Sequence, residues 1–251
     1  MMKTSHFKPQ VSVSEINAFI ECPSAWALRY HYGYKQDFSA KMKRGVDFEG
    51  EVNLRLTNKD FSDIEYDITP LEREAVGPIV DIIENIAGGI PIELQYHLHR
   101  GNMLGYADYL VPGHIIDLKT TAQTPSKLSS SNMRQMAFYQ FLSRYPEDCE
   151  LTVIYAVFLK RSSDIVMFTT NADLHLHYTD HPFVKKSTMI TDAEICKAQA
   201  ENNLAMLQIA SIKENPQLLK ILPVDTNHFR MKDYDEYIVK KLMDGSLVPK
   251  E

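Results

Sequence analysis

The chain has few cysteines, no long apolar run and no excess of positive charge. Its three cysteines, Cys22, Cys149 and Cys196, form no CxxC pair, and their odd number argues against a disulfide framework. No apolar run reaches the ~18–20 residues of a membrane span, and the first ten residues lack the apolar stretch of a signal peptide. These absences predict a protein of the reducing cytoplasm with no membrane partner.

The net charge of −6 argues against a broadly basic nucleic-acid-binding protein. Basic residues nevertheless concentrate between Arg29 and Arg44, where they alternate with aromatic residues. Basic groups between aromatic rings can follow a nucleic-acid backbone and stack unpaired bases. The alternative for this stretch is an ordinary solvated helix end and loop. The candidate nucleic-acid contacts of the whole chain are Arg29, Tyr34, Lys41, Lys43, Arg44, Lys127 and Arg134.

The segment GYADYLVPGHIIDLKTT, residues 105–121, is the most informative part of the sequence. It predicts two strands around Pro112-Gly113, because Pro and Gly mark turns and the flanks are rich in Tyr, Val and Ile. A hairpin symmetric about that dipeptide pairs residues whose numbers sum to 225, which places Asp108 opposite Asp117. Like charges placed there repel, so they require a cation. Lys119 shares the face of Asp117, since side chains alternate along a strand.

This arrangement suits phosphodiester hydrolysis. Two Asp oxygen donors and water suit a hard cation such as Mg²⁺, which is usually held by one or two carboxylates and substrate phosphate. The metal would activate a water, and Lys119 would orient that water or stabilise charge in the transition state. The alternative is an exposed hairpin in which Lys119 merely bridges Asp108 and Asp117, a contact worth at most about 1 kcal/mol.

Five ordered segments of residues 12 to about 160 resemble the RecB-like branch of the PD-(D/E)xK nuclease superfamily. They are SVSEINAFIECPSAWALRYHYG, RGVDFEGEV, GYAD, IIDLKTT and QMAFYQ. The resemblance implies that Asp108 and Asp117 bind the metal, with the Leu118 carbonyl as a third donor. It implies that Lys119 is the catalytic lysine. It also implies that Gln135 and Tyr139, which share a helix face at i and i+4, line the site; an ordinary amphipathic helix is compatible with the same residues.

Glu49 occupies the position at which the family usually has a metal-binding His. A carboxylate there suits Mg²⁺ or Mn²⁺, which prefer oxygen ligands. Glu49 as a solvated helix residue is the alternative, with Asp47 and Glu51 as substitutes if the alignment shifts.

Some relatives hold an iron–sulfur cluster through one Cys near the first helix and three near the C-terminus. Only Cys22 is present in such a position, so we expect no cluster and interpret Cys22 as a packing residue. The pairs His97/His99 and His175/His177, at i and i+2, have no convincing further ligand. We therefore expect exposed strand or loop histidines there rather than zinc.

The predicted fold is α/β, with a central mixed β-sheet of about five strands flanked by helices and a restriction-endonuclease-like core. We expect one domain over residues 1–251, with the core at about 40–170 and helical elements at 12–35 and 190–245. The expected function is that of a metal-dependent DNA nuclease, specifically an exonuclease of phage or bacterial recombination or repair. A helicase or recombination protein is a conceivable partner, and the oligomeric state stays open. The alternatives are an endonuclease with the same site and a nuclease-like module that binds without cutting.

Overall fold

The computed structural model describes residues 7–34, 39–57, 66–144, 148–232 and 234–248. The chain is α/β, as predicted, with one mixed sheet and helices beside it. The strands are β1 (Val11–Ser12), β2 (Glu93–Arg100), β3 (Met103–Val111), β4 (His114–Thr121), β5 (Glu150–Phe158), β6 (Ser163–Thr169) and β7 (Val184–Met189). The α-helices are α1 (Val13–Glu21), α2 (Pro23–Trp26), α3 (Ala40–Thr57), α4 (Pro70–Ala87), α5 (Ser130–Leu142), α6 (Ala172–Thr179), α7 (Asp192–Glu214) and α8 (Glu236–Met243). A π-helical turn follows α2 at Ala27–His31, and two 3₁₀ turns lie at Pro216–Ile221 and Phe229–Met231.

The sheet has seven strands rather than the five predicted. Their order is β1-β3-β4-β5-β6-β7, with β2 pairing with β3. The two strands that the sequence did not indicate are β1, which has two residues, and β7, whose sequence VKKSTM buries only Val184. Neither has the alternation or the apolar run from which strands are recognised.

The β3–β4 hairpin has the predicted register. Tyr109 pairs with Ile116, Leu110 with Ile115 and Val111 with His114, so each pair sums to 225. Gly113 turns the chain with a φ of 80°, a left-handed conformation that glycine adopts without steric cost. The register places Asp108 and Asp117 next in order at the open end of the hairpin.

Both ends of helix α4 are fixed by cap residues of its own sequence. Thr69 and Glu72 form a reciprocal capping box, and Gly88 ends the helix at a φ of 56°. The apolar face of α4 packs on the sheet through fully buried isoleucines, among them Ile79 and Ile83. Phe48 of α3 joins this core, so α3 is held beside the strands that carry the two aspartates.

The residues group into two compact units. The unit containing most of the sheet comprises residues 38–98 and 105–196. The other comprises residues 1–37, 99–104 and 197–251. In this second unit the two predicted terminal helical elements share a core, with Cys22 and Leu28 packed among Met231 and Leu247. Cys22 is therefore a packing residue, as expected. The single-domain prediction stays a prediction.

One local prediction needs correction. His175 and His177 lie on helix α6 rather than on a strand or loop, because Asn171 caps a helix there by accepting a hydrogen bond from the Leu174 amide. Within the predicted C-terminal helical element, the last helix, α8, is short and is preceded by a 3₁₀ turn. In the parts of the chain that the structure describes, no helix is both long enough and apolar enough to cross a membrane.

Candidate nuclease site

Asp108 on β3 and Asp117 on β4 follow the paired residues of the hairpin on the side away from the turn. Asp117 is fully buried. The Leu118 amide donates to Asp108 Oδ2 at 2.9 Å, so the Asp108 carboxylate takes the place of a backbone acceptor on the neighbouring strand. Burial raises the pKa of Asp108 well above its usual range, and the negative charge of Asp117 adds to this effect. A buried carboxylate beside another carries a cost that a cation would remove.

Lys119 supplies positive charge to this end of the hairpin. Its Nζ lies 2.9 Å from Oδ1 and 2.8 Å from Oδ2 of Asp117. Burial opposes the charge on Lys119, but Asp117 and Asp108 outweigh it and raise the Lys119 pKa. The lysine is therefore held as an ammonium ion, and 28% of its side chain stays exposed to solvent. A fixed cation reachable from solvent can stabilise charge that develops on a bound phosphate.

Helix α5 adds an amide and a phenol to the same place. Gln135 Nε2 donates to Asp117 Oδ1 at 3.0 Å and lies 2.9 Å from the Tyr139 hydroxyl oxygen. Burial raises the pKa of Tyr139, and Asp117 acts in the same direction, so this phenol keeps its proton. The buried Met136 and Ala137 give the same helix a core face, so the two interpretations of α5 are compatible.

Gly105 explains why the segment GYAD contains a glycine. A Cβ atom at Gly105 would lie 2.8 Å from Cε1 and 3.0 Å from Cδ1 of the Tyr139 ring. The contact is too short for any other residue unless the ring moves. Gly105 thus allows Tyr139, and with it Gln135, to approach the hairpin.

Glu49 on α3 belongs to the same electrostatic cluster. Burial raises the pKa of Glu49; Lys119 opposes this effect and Asp117 adds to it. The Glu49 carboxylate accepts hydrogen bonds from Gln95 of β2 and from Asn53, one turn later on α3. Glu49 is therefore a half-buried residue held by two hydrogen bonds rather than a solvated helix residue.

The substitutes considered for Glu49 lie elsewhere. Asp47 is paired with Lys43 at 2.7 Å. Glu51 is buried, 3.9 Å from Arg73 and 4.0 Å from Arg55. Glu49, by contrast, interacts electrostatically with Lys119 and Asp117 of the hairpin.

By their chemistry, the carboxylates of the cluster are oxygen donors of the kind that Mg²⁺ or Mn²⁺ prefers. Glu49, Asp108 and Asp117 bring three carboxylates to one place, against one lysine. Buried Asp117 Oδ2 has an ion pair with Lys119 but no hydrogen bond of its own. Hard divalent cations prefer such oxygen donors. As they stand, no three His, Cys, Asp or Glu side chains among the described residues are arranged to hold a metal. The Leu118 carbonyl stays a prediction.

The predicted nucleic-acid contacts are only partly available. Lys41 and Lys127 are exposed. Lys43 pairs with Asp47, and Arg44 pairs with buried Glu72. Arg134 requires correction, because its side chain is buried on α5 and is not presented to solvent.

Two further candidates belong to residues 1–37. Arg29 is exposed, with its guanidinium carbon 5.3 Å from the centre of the Tyr30 ring. Tyr34 is half-buried against the core around Cys22.

Sequence reasoning missed two residues of the site. Gln95, which holds Glu49, has a φ of 48°, a left-handed conformation that is rare outside glycine. Tyr155 of β5 pairs with Lys119 in the parallel ladder, and its hydroxyl accepts a hydrogen bond from Asn132 of α5. Tyr155 lies inside an apolar run that indicates only a buried strand. Gln95 lies in the predicted strand ELQYHLH, where nothing marks it from its polar neighbours.

No protein-family model matches the chain, and no curated protein matches it. Among solved structures, the chain is similar to the crystal structure of SSO0001, with a TM-score of 0.32 and 10% sequence identity. The similarity covers 82% of this chain and 80% of that chain. A likeness this weak carries no argument about function.

Proposed function

We propose that the protein is a metal-dependent DNA nuclease that acts from DNA ends. The observation that carries the proposal is the cluster at the open end of the hairpin. There, Asp117 is fully buried, Asp108 lies on the adjacent strand, and Lys119 Nζ is within 3 Å of both Asp117 oxygens. Glu49 adds a third carboxylate. Negative charge thus exceeds positive charge in a place that burial makes unfavourable for it, unless a cation binds.

Glu49, Asp108 and Asp117 would hold Mg²⁺ or Mn²⁺, which when bound lowers the pKa of a coordinated water and stabilises negative charge on phosphorus oxygens. Lys119 contributes a fixed ammonium beside the place where the scissile phosphate binds. Gln135 holds Asp117 in position through its amide donor. The protonated Tyr139 hydroxyl accepts from Gln135 and so fixes the amide orientation.

The choice of an exonuclease for DNA recombination, repair or phage DNA processing rests on the RecB-like resemblance. The proposed helicase or recombination partner rests on the same resemblance, and the oligomeric state stays open. A cytoplasmic location belongs to the same proposal, supported by the cysteine content. None of these finer statements depends on the residues of the cluster alone.

A binding module that does not cut is a second candidate, and one observation favours it. Each carboxylate already has a partner within the protein: Gln95 on Glu49, the Leu118 amide on Asp108, and Lys119 on Asp117. A cluster satisfied in this way can persist without metal, as a structural remnant of a nuclease site.

Digestion of defined DNA substrates separates these functions. End-labelled linear and closed circular DNA, single- and double-stranded, are incubated with Mg²⁺, Mn²⁺ or EDTA. We expect metal-dependent loss of linear DNA with circles spared. Cutting of circles would replace the exonuclease by an endonuclease, and absence of cutting under every condition would favour the binding module.

Lys119→Ala tests whether cutting takes place at this cluster. A suitable control is Lys185→Ala, because Lys185 forms an exposed ion pair with Asp164 at 3.1 Å outside the cluster. We expect cutting to be lost in Lys119→Ala and retained in Lys185→Ala. Equal activity of the two variants would exclude this cluster as the source of the activity.

A further inference from the structure

An exposed pair of stacked rings lies on the strands that carry the candidate site. The rings of His97 on β2 and Tyr106 on β3 are nearly parallel, at 14°, with centroids 5.0 Å apart. Tyr106 is 52% exposed, and His97 is also exposed. The site contacts of Gly105 and Asp108 fix the backbone on both sides of Tyr106, so this ring stands at a defined place.

The ring pair is close to the carboxylates in the chain. Tyr106 is two residues before Asp108, and His97 is two residues after Gln95, which binds Glu49. Two residues along a strand span about 7 Å. Along the strands, the ring pair thus lies about 7 Å from Asp108 on β3 and from Gln95 on β2.

We propose that the His97–Tyr106 pair is a stacking surface for unpaired DNA bases beside the site, which makes single-stranded DNA, or a frayed end, the preferred substrate. This inference rests on the proposed function. An aromatic ring with an open face accepts any base, and such stacking tolerates sequence. Because His97 already holds the Tyr106 ring, little side-chain freedom is lost when a base stacks on it. A paired base inside a duplex offers no free face to this surface.

A purely structural role is the competing explanation. Cross-strand aromatic pairs stabilise sheets by about 0.2–1 kcal/mol. That role predicts a change in thermal stability when either ring is removed, and no change in the affinity for single strands. Binding and unfolding measured on the same variants therefore distinguish the two.

Fluorescence anisotropy with labelled oligonucleotides, in EDTA so that no metal-dependent cutting takes place, is the test. The probes are a 20-nucleotide oligo-dT, a duplex of the same length, and a 20-nucleotide strand of abasic sites. Tyr106→Leu should bind oligo-dT about 10-fold or more weakly, the usual scale of one lost base stack. Tyr106→Phe should bind normally, and His97→Ala should lose several-fold. Both Tyr106→Leu and the parent should bind the abasic strand with the same weak affinity.

Phe183→Leu is the matched control, because Phe183 is 51% exposed and precedes β7 at the opposite edge of the sheet from β3. It should leave oligo-dT binding unchanged. Unchanged binding of oligo-dT by Tyr106→Leu, or equal losses on oligo-dT and on the abasic strand, would overturn the stacking surface. If Tyr106→Leu does not fold, His97→Ala and Tyr106→Phe decide the matter alone.

The outcome is separable from that of the nuclease proposal. A protein that cuts DNA but binds oligo-dT and duplex equally, with no effect of Tyr106→Leu, retains the proposed function and loses this inference. A protein that never cuts but binds oligo-dT through Tyr106 contradicts the proposed nuclease function and supports the stacking surface.

Discussion

Strand β4 carries two buried polar side chains, His114 beside the turn and Asp117 in the middle of the strand, and their surroundings differ in electrostatic character. At the turn end, the His114 ring contacts the Thr152 hydroxyl at 2.7 Å, and Thr152 contacts Thr169 at 2.8 Å. Burial lowers the pKa of His114 to about 4, so this imidazole is neutral. Three residues further along the strand, Asp117 lies beside Asp108, whose pKa burial and the charge of Asp117 raise.

The difference separates a polar network that holds the sheet from one arranged for a ligand. Around His114 each ring nitrogen has a neighbour, since the other nitrogen is 3.3 Å from Glu150. Because both nitrogens of the neutral imidazole have a partner within the protein, this network stabilises the fold modestly and leaves no ring nitrogen for a ligand. Around Asp117, three carboxylates share one lysine. Groups whose charge is held at a cost are characteristic of functional sites.

Removal of the charge at Asp117 should have the largest effect. We expect Asp117→Asn to lower the cutting rate by at least about 10³-fold, because it removes a metal ligand and the partner of Lys119. His114→Gln, beside the turn, should cut normally at neutral pH. Single-turnover digestion of end-labelled DNA measures both variants, with circular dichroism confirming the fold. An active Asp117→Asn protein would remove the distinction between the two polar networks.

The pH dependence of stability should show the neutral histidine. Unfolded His114 binds a proton near pH 6.5 and folded His114 only near pH 4. Between these values the proton favours the unfolded chain, so stability present at neutral pH is lost as the pH falls, by about 3 kcal/mol in all. His114→Gln, which cannot titrate, should lack this loss. Urea unfolding of both proteins at several pH values between 4 and 7.5 gives the comparison, and parallel curves would contradict it.

Neutralising Asp108 should stabilise the metal-free protein. Its folded pKa is raised by burial and by Asp117, so the unfolded chain ionises first. Stability contributed by the protonated carboxyl is therefore lost as the pH rises from about 4 through the folded pKa. At neutral pH in EDTA we expect Asp108→Asn to gain about 1 kcal/mol, as is usual when a functional site is relaxed.

Bound metal should reverse the order of stability of the parent and Asp108→Asn. Mn²⁺ should raise the melting temperature of the parent and not of Asp108→Asn, since only the parent binds it. Asp164→Asn, on the surface ion pair with Lys185, is the control and should respond to Mn²⁺ as the parent does. An equal response of Asp108→Asn would show that the metal binds without this residue.

The smallest effect concerns Gln95, which holds Glu49 from a left-handed backbone position. Gln95→Gly relieves that conformation and Gln95→Ala does not, so the glycine variant should be more stable by about 1 kcal/mol. Both lose the hydrogen bond to Glu49 and should bind Mn²⁺ a few-fold more weakly. Thermal unfolding and Mn²⁺ titration measure the two quantities separately. Wild-type Mn²⁺ affinity in both variants would show that Gln95 does not position Glu49.

Much of the site could be predicted from the sequence because its central part is local. Asp108, Asp117 and Lys119 belong to one hairpin, whose turn residues set the register before any tertiary contact forms. The caps of α4 were also local, since Thr69, Glu72 and Gly88 act within one helix. The signal for helix α6, its cap at Asn171, is also local. It was missed because the i, i+2 spacing of His175 and His177 resembles strand alternation.

By itself, the sequence determined the α/β class, the hairpin register and the set of side chains that meet at its open end. Only the tertiary structure decided that Gln95 and Tyr155 join them, and that Arg134 and Asp117 are buried. The reason is that a residue's pKa and accessibility depend on what other segments bring against it. Alternation and spacing along one strand contain no record of those segments.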